Sequence, residues 1–157
     1  MSGQGSVERV RTALQAAGHP DTITMFPAST RTAAEAAAAV GCTVAQIAKS
    51  IVFRAGTRAA LVITSGANRV DPAKAGQALG VALARADADF VRETTGFAIG
   101  GVAPVGHLSP PLVLLDRDLF DLDPIWAAAG SSAHVFRTSA AELLRLSGGK
   151  VAEVRQA

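Results

Sequence analysis

The 157-residue chain has the length of a single domain, expected to cover residues 1–157 and to bury a sizeable core. Its net charge is only +2, it lacks a basic run, and aromatic residues make up 4%, which argues against DNA binding and base-stacking platforms. One cysteine excludes an internal disulfide and a cysteine-based zinc site. Without a leader or a membrane-length apolar stretch, a cytoplasmic protein with no membrane partner is expected.

Helices and strands alternate irregularly through the first half of the chain. The sequence predicts a helix over residues 6–18, with Ser6 as its N-cap, and then a short strand over 22–25. A capping box starting at Thr32 opens an alanine-rich helix that ends at Gly41. Two apolar strands follow, over residues 47–53 and 59–64.

The second half continues this mixture. Asp71-Pro72 predicts a helix running to about Leu79, and Asp87 caps a shorter one. The pattern then predicts a strand over 111–115, a hairpin-like pair over 125–136 and a capped helix over 139–148. Because βαβ units do not repeat strictly, the expected class is α+β with a mixed sheet.

One lysine interrupts the first of these strands. Lys49 shares a strand face with Ile47 and Ile51, because side chains alternate along a strand. A lysine on an apolar face must find a partner or extend its ammonium to water. Lys49 is therefore either a strand-end lysine that reaches solvent or a cation at the mouth of a pocket.

A glycine-rich loop follows at residues 95–107. It holds Gly96, Gly100, Gly101 and Gly106, and glycine permits positive φ and close backbone approach to a ligand. The loop matches neither a Walker motif nor a dinucleotide fingerprint. It is either an anion-binding set of backbone N–H groups or a bulged turn between strands.

Together, these two segments and the intervening residues 65–71 resemble the YbaK/EbsC family of bacterial aminoacyl-tRNA deacylases. That family is related to the editing domain of bacterial prolyl-tRNA synthetases. The resemblance extends from Pro27-Ala28-Ser29-Thr30-Arg31-Thr32 to the tail around residues 142–148. It implies a curled, partly barrel-like mixed β-sheet flanked by helices, and a stand-alone trans-editing hydrolase acting on mischarged aminoacyl-tRNA.

The resemblance also assigns the main site. It implies that Lys49 matches the essential lysine of the family and that Gly100-Gly101 receives the aminoacyl ester. Gly96 and Phe97, at the start of the same loop, are assigned with it to substrate binding. The implied partners are the 3′ end of an aminoacyl-tRNA, such as a tRNA-Pro carrying a small amino acid, and as a second option prolyl-tRNA synthetase.

Three further side chains are candidates for substrate contact. Thr30 either lines the amino-acid pocket or belongs only to the approach of the following helix. Asn68 either contacts the ribose or amino group or holds a positive φ in a turn. His107 ends the glycine loop and is either a general base or a loop-fixing residue, whereas His134 is expected to be structural.

The chemistry expected of this site is electrostatic. An aminoacyl ester is already activated, so a placed water and a stabilised oxyanion suffice, and the chain has no Gly-x-Ser-x-Gly nucleophile motif. Neither a cofactor nor a metal is expected, because the histidines lack metal-ligand spacing. A catalytically inactive module that binds a nucleotide, a tRNA end or a synthetase is the alternative.

The late hairpin departs from some members of the family. Its segment, residues 129–136, lacks the aspartate that those members carry there. A preference for cysteinyl esters therefore does not transfer to this chain, and substrate choice is left to the shape of the pocket.

Overall fold

The computed structural model describes residues 3–27 and 29–157, which form an α+β fold. Its strands are β1 (Ile23–Met25), β2 (Ile47–Ala55), β3 (Arg58–Ser65), β4 (Ala84–Arg85), β5 (Leu112–Asp116), β6 (Ile125–Ser131), β7 (His134–Thr138) and β8 (Lys150–Ala152). Its α-helices are α1 (Gly3–Ala16), α2 (Ala33–Val40), α3 (Pro72–Leu79), α4 (Ala88–Thr95) and α5 (Ala140–Ser147). Two short 3-10 helices cover Val44–Gln46 and Arg117–Asp121.

The strands form one mixed sheet, which confirms the predicted α+β class. The strand order is β1-β7-β6-β2-β3-β5-β8, and β4 pairs with β2 beside this path. Four pairings are antiparallel, and the β2–β6, β3–β5 and β5–β8 pairings are parallel. Within the described residues β1 and β8 are edge strands, so the curled sheet stays open rather than closing into a barrel.

Local capping signals determine where most helices begin and end. The N-cap side chains of four helices accept a hydrogen bond from a first-turn N–H, as predicted, at Thr32, Asp71, Asp87 and Ser139. The same four helices end at a glycine in the left-handed region, namely Gly41, Gly80, Gly96 and Gly148. Caps of this kind are local, which is why the sequence alone predicts them well.

Two parts of the sequence-based prediction need correction. Helix α1 begins at Gly3, so Ser6 lies inside the first turns instead of capping the helix. The polar residues before Val7 carry no apolar periodicity that would mark this earlier start. Strands β4 and β8 were not predicted, because two or three residues are too few for an alternating pattern.

Helices cover both faces of the sheet. On one face, α1 buries Val10 and Leu14 in the main core with Leu61 and Ile63 of β3. On the other face, α2 packs near Ile47 in one small cluster. A second small cluster packs α3 residues against Val62 and Leu114. Lys49 and Ile51 of β2 lie between those two clusters, and this position is where the candidate site opens.

Candidate active site

A gap between two strands creates the site. Strands β2 and β6 pair in parallel only at Ile47–Trp126 and Ala48–Ala127. Farther along, the same edge of β2 pairs with β4 at Phe53 and Arg54. Within the described residues, the stretch 49–52 of β2 therefore has no strand partner on this edge, and the sheet splits there.

A cleft of about 260 Å³ occupies the split. Residues of β2, of the glycine loop, of the segment before α2 and of the β6–β7 hairpin line it. They are Thr30, Arg31, Thr32, Ala33, Ala36, Ile47, Ala48, Lys49, Ser50, Ile51, Ile99, Gly100, Val102, Trp126, Ala128, Ser131, Ser132, His134 and Val135. The wall is mostly apolar, with a few polar groups and two cationic side chains, as in many small-molecule sites.

Lys49 is half-buried in this cleft. It stands opposite Thr64 of β3 and shares the strand face of Ile47 and Ile51, as its sequence position predicts. Its ammonium forms no hydrogen bond or ion pair with residues 3–27 or 29–157. Burial, and to a lesser degree the positive charge of Arg69, lowers the pKa of Lys49. An unpaired cation in a partly dry cleft can bind an anion or a developing oxyanion.

The glycine loop brings Gly100 to the same cleft. Residues 98–101 form a type II turn, in which Gly100 takes the position that requires a positive φ, here 91°. The turn is closed by the N–H of Gly101, which donates to the carbonyl of Ala98 at 3.0 Å. Gly100 lines the cleft together with its neighbours Ile99 and Val102.

Gly101 differs from Gly100 in its role. It is buried and does not line the cleft. A Cβ atom at Gly101 would lie 2.7 Å from Cα of Ser131, closer than real Cβ atoms come to backbone. The missing side chain therefore lets the loop pack closely on the backbone of Ser131 in β6.

Thr30 lies in the cleft wall, at the approach to helix α2. Its N–H and its hydroxyl both donate to the carbonyl of Ser132, at 2.9 and 3.1 Å. The threonine thus ties the segment before α2 to the β6–β7 hairpin. Its hydroxyl donor is therefore already engaged within the protein.

Ser131 and His134 form a polar pair in the cleft that sequence reasoning missed. Ser131 Oγ lies 2.6 Å from Nδ1 of His134, and the same oxygen accepts the N–H of Ala133 at 3.0 Å. The pair spans a hairpin turn, so its spacing in the sequence looked purely structural. A serine beside an imidazole is also the arrangement of an activated nucleophile. A mechanism in which water attacks must therefore be tested against attack by Ser131.

Comparison with known proteins fits this geometry. The family model for the aminoacyl-tRNA editing domain matches residues 27–146, which is most of the chain. The chain belongs to the aminoacyl-tRNA editing-domain family. This membership confirms the resemblance to YbaK/EbsC proteins that the two segments carry.

Relatives cover the editing domain almost end to end. The uncharacterized protein YwhH of Bacillus subtilis (strain 168) is 32% identical over 147 residues, which are 93% of this chain and 94% of YwhH. A crystal structure of a proposed trans-editing enzyme for prolyl-tRNA synthetase is 46% identical with a TM-score of 0.91, covering 97% and 98% of the two chains. The hypothetical protein APE2540 is 27% identical with a TM-score of 0.87, covering 94% and 99%.

Three predicted site residues of the editing domain lie on the other side of the glycine loop, away from the cleft. Phe97 is 1% exposed, and the guanidinium of Arg9 stacks over its ring at 4.5 Å. Arg9 also donates to the carbonyls of Gly96 and Gly106, at 2.8 and 2.6 Å. Gly96 and Phe97 thus anchor the loop to α1, and neither lines the cleft. No sequence motif marks Arg9 as their partner.

His107 is the third of these residues. Its Nε2–H donates to the carbonyl of Ala103 at 2.6 Å, and its ring packs edge-on against Phe97. Burial lowers the pKa of His107, with a smaller lowering by Arg9 that opposes the effect of the Ala103 carbonyl. Because it does not line the cleft with Lys49, this geometry supports the loop-fixing role, and the general-base role stays a prediction.

Asn68 does not line the cleft either. Its amide donates to Oδ2 of both Asp116 and Asp118, each at 2.8 Å, and the same Asp116 oxygen accepts the hydroxyl of Thr64. Its φ is not positive, so the turn alternative for Asn68 is wrong, and contact with the ribose or amino group stays a prediction. The side chain satisfies a buried carboxylate and fixes the turn after β3.

Within the described ranges no three histidine, cysteine, aspartate or glutamate side chains group as metal ligands. No described helix is both long and apolar enough to cross a membrane. Lys49, the loop backbone and the Ser131–His134 pair bring polar groups into the cleft.

Proposed function

We propose that this editing domain is a stand-alone trans-editing hydrolase that cleaves the ester bond of mischarged aminoacyl-tRNA. The observation that carries the proposal is an unpaired lysine in a cleft shared with the glycine loop, in a chain of the editing family. The protein that is 46% identical, a proposed trans-editing enzyme for prolyl-tRNA synthetase, supports the same class of activity. The partner is then the 3′ end of an aminoacyl-tRNA.

The reaction we propose is direct attack by water. The ester carbonyl lies near the Lys49 ammonium, which stabilises the negative charge as the carbonyl becomes tetrahedral. Because the Gly101 N–H is engaged in the turn, Gly100 supplies the backbone donor from this pair. The terminal ribose leaves as the alcohol, and the amino acid leaves as the carboxylate.

The size and charge of the site bear on the substrate. A cleft of about 260 Å³ accommodates the ester and a small side chain, as on a tRNA-Pro charged with the wrong small amino acid. With a net charge of only +2, the protein contacts few phosphates, and Arg31 is the exposed cation at the cleft. Prolyl-tRNA synthetase is the second partner we propose, as a source of mischarged tRNA-Pro.

A binding module without activity is the alternative. It would use the same cleft to hold a tRNA end or a nucleotide and would leave the ester intact. The apolar wall suits binding as well as catalysis. The combination of the Lys49 cation with the Gly100 backbone, which an oxyanion needs and simple binding does not, favours the hydrolase.

The decisive experiment is deacylation of a panel of alanyl, seryl and cysteinyl esters on one tRNA-Pro body, with prolyl-tRNA-Pro as the cognate control. Wild type, Lys49→Ala and Lys150→Ala are compared, since Lys150 is an exposed lysine on the edge strand β8. Hydrolysis that only Lys49→Ala loses supports the proposal. Tight tRNA binding by wild type without turnover supports the binding module.

The Ser131–His134 pair provides the test of water attack. Ser131→Ala removes the serine hydroxyl nearest an imidazole and leaves Lys49 in place. We expect the variant to keep activity within a few-fold of wild type, and rapid quenching with labelled substrate to trap no aminoacyl-protein. A labelled adduct on Ser131, or on Cys42, would overturn the water mechanism.

A further inference from the structure

The backbone N–H and C=O of Ser50, the residue after Lys49, point into the gap between β2 and β6. The carbonyl of Ile47 accepts the N–H of Gly66 at 2.7 Å, so the polar backbone groups of Ile47 point towards β3. These groups alternate in direction along an antiparallel strand, so those of Lys49 and Ile51 also point towards β3. The N–H and C=O of Ser50 then point towards the opposite edge, where β6 has already diverged.

The hydroxyl of Ser50 lacks a hydrogen-bond partner in the described part of the protein. The oxygen of this hydroxyl is buried. Buried polar atoms in native proteins nearly always have a partner, and an exception calls for an explanation. A serine hydroxyl moves between three staggered positions about one bond, so Ser50 can turn its oxygen to meet an incoming group.

A second recess, of about 150 Å³, lies beside Ser50. Its remaining side chains come from residues that include Val52, Ala86, Val91 and Val102, and all of its side chains except that of Ser50 are apolar. Five residues, Ser50 among them, line both the recess and the main cleft. A ligand held at Lys49 therefore has an apolar recess next to it with one hydroxyl in its wall.

We propose that this recess receives the amino-acid side chain of the ester and that Ser50 selects side chains with a hydroxyl on the β carbon. Seryl and threonyl esters give the Ser50 hydroxyl a partner, whereas an alanyl ester leaves it unpaired in a drier site. A site that pairs with a substrate hydroxyl discriminates far better than an apolar pocket does. This inference rests on the proposed function and names the substrate class of the same cleft.

The test compares seryl and alanyl esters on one tRNA body in single-turnover assays. Wild type should cleave the seryl ester about tenfold faster or more. Ser50→Ala should bring the ratio close to one, mainly by slowing the seryl reaction. The matched control is Ser109→Ala, a serine in the exposed stretch after His107, which should keep the wild-type ratio.

Failure of the inference is distinguishable from failure of the proposed function. If Ser50→Ala keeps the wild-type ratio, the Ser50 hydroxyl has no part in selection and the inference is overturned. If wild type cleaves no ester, the hydrolase is overturned instead, and binding of stable seryl and alanyl amides of 3′-amino-3′-deoxyadenosine is measured by calorimetry. A seryl preference that Ser50→Ala removes would still establish selection, while equal binding of both amides would refute it.

Discussion

The two sides of the glycine loop differ in what they contact. On one side, Ile99, Gly100 and Val102 face the cleft with Lys49. On the other side, Gly96 and Gly106 are held by the side chain of Arg9. One side is available to a ligand and the other is bound to the body of the protein.

This difference separates activity from stability. A change on the cleft side removes a group with no partner in the described part of the protein, so the free energy of unfolding should change little. A change on the anchored side breaks internal hydrogen bonds or packing, so the free energy of unfolding should fall first. Each of the following variants tests whether that separation holds.

The largest effect is expected for Lys49→Ala. Loss of a cation at the oxyanion should cost about 3–4 kcal/mol of transition-state stabilisation, or roughly a hundredfold or more in rate. The melting temperature should change little, because Lys49 has no ion-pair partner among residues 3–27 and 29–157. Single-turnover deacylation and thermal melting of the same preparation measure both. Full activity would rule out the mechanism, and an unfolded variant would make Lys49 structural.

Gly101→Ala comes next and should act through packing. The added Cβ would lie 2.7 Å from Cα of Ser131, and such overpacking costs about 1–3 kcal/mol. We expect a lower urea midpoint together with reduced activity, because the displaced loop also carries Gly100. If activity falls while the urea midpoint stays unchanged, Gly101 faces the substrate after all, as its sequence position first suggested.

The glycine loop shows how much of the site the sequence alone can predict. It places Lys49 on an apolar face and Gly100 in a turn, because strand alternation and positive φ are local properties. It cannot assign Gly101 to β6 or Gly96 to Arg9, because those contacts join residues far apart in the chain. The carboxylate partners of Asn68 could not be predicted for the same reason, since they lie on and after β5.

The fold was more predictable than the site. Local sequence determines the helix caps, such as Thr32 and Asp71, and the apolar strands β2 and β3. The cleft instead depends on where β2 and β6 separate, and nothing in either strand marks that point. His134 looked structural for this reason, although the split places it in the cleft wall.

Arg9→Met should destabilise the anchored side. The methionine keeps much of the length of the side chain but cannot donate to Gly96 and Gly106. Two unpaired carbonyls and a lost contact with the Phe97 ring should lower the free energy of unfolding by about 1–3 kcal/mol. Activity per folded molecule should fall less than tenfold, as measured below the melting transition.

A neighbouring arginine provides the control for that variant. Arg11, on the same helix, pairs with Asp21 at the surface, and such pairs contribute about 0–1 kcal/mol. Arg11→Met should therefore melt close to wild type. If the two variants lose equal stability, the anchoring role of Arg9 is wrong and only helix α1 has been weakened.

The smallest effect concerns pH and His107. Burial lowers the pKa of His107 in the folded protein, whereas the unfolded chain has the ordinary value of about 6.5. As the pH falls below about 6.5, His107 gains its proton in the unfolded state before it does in the folded state. The free energy of unfolding therefore falls until the pH has passed through the folded pKa. Above about 6.5 this loss is absent. Urea unfolding from pH 5 to 8 should show this loss in wild type. His107→Gln keeps an amide donor for the Ala103 carbonyl without a titrating group, so its stability should fall less steeply towards pH 5. Equal slopes for the two proteins would mean that the His107 ring gains its proton as easily in the fold as in water.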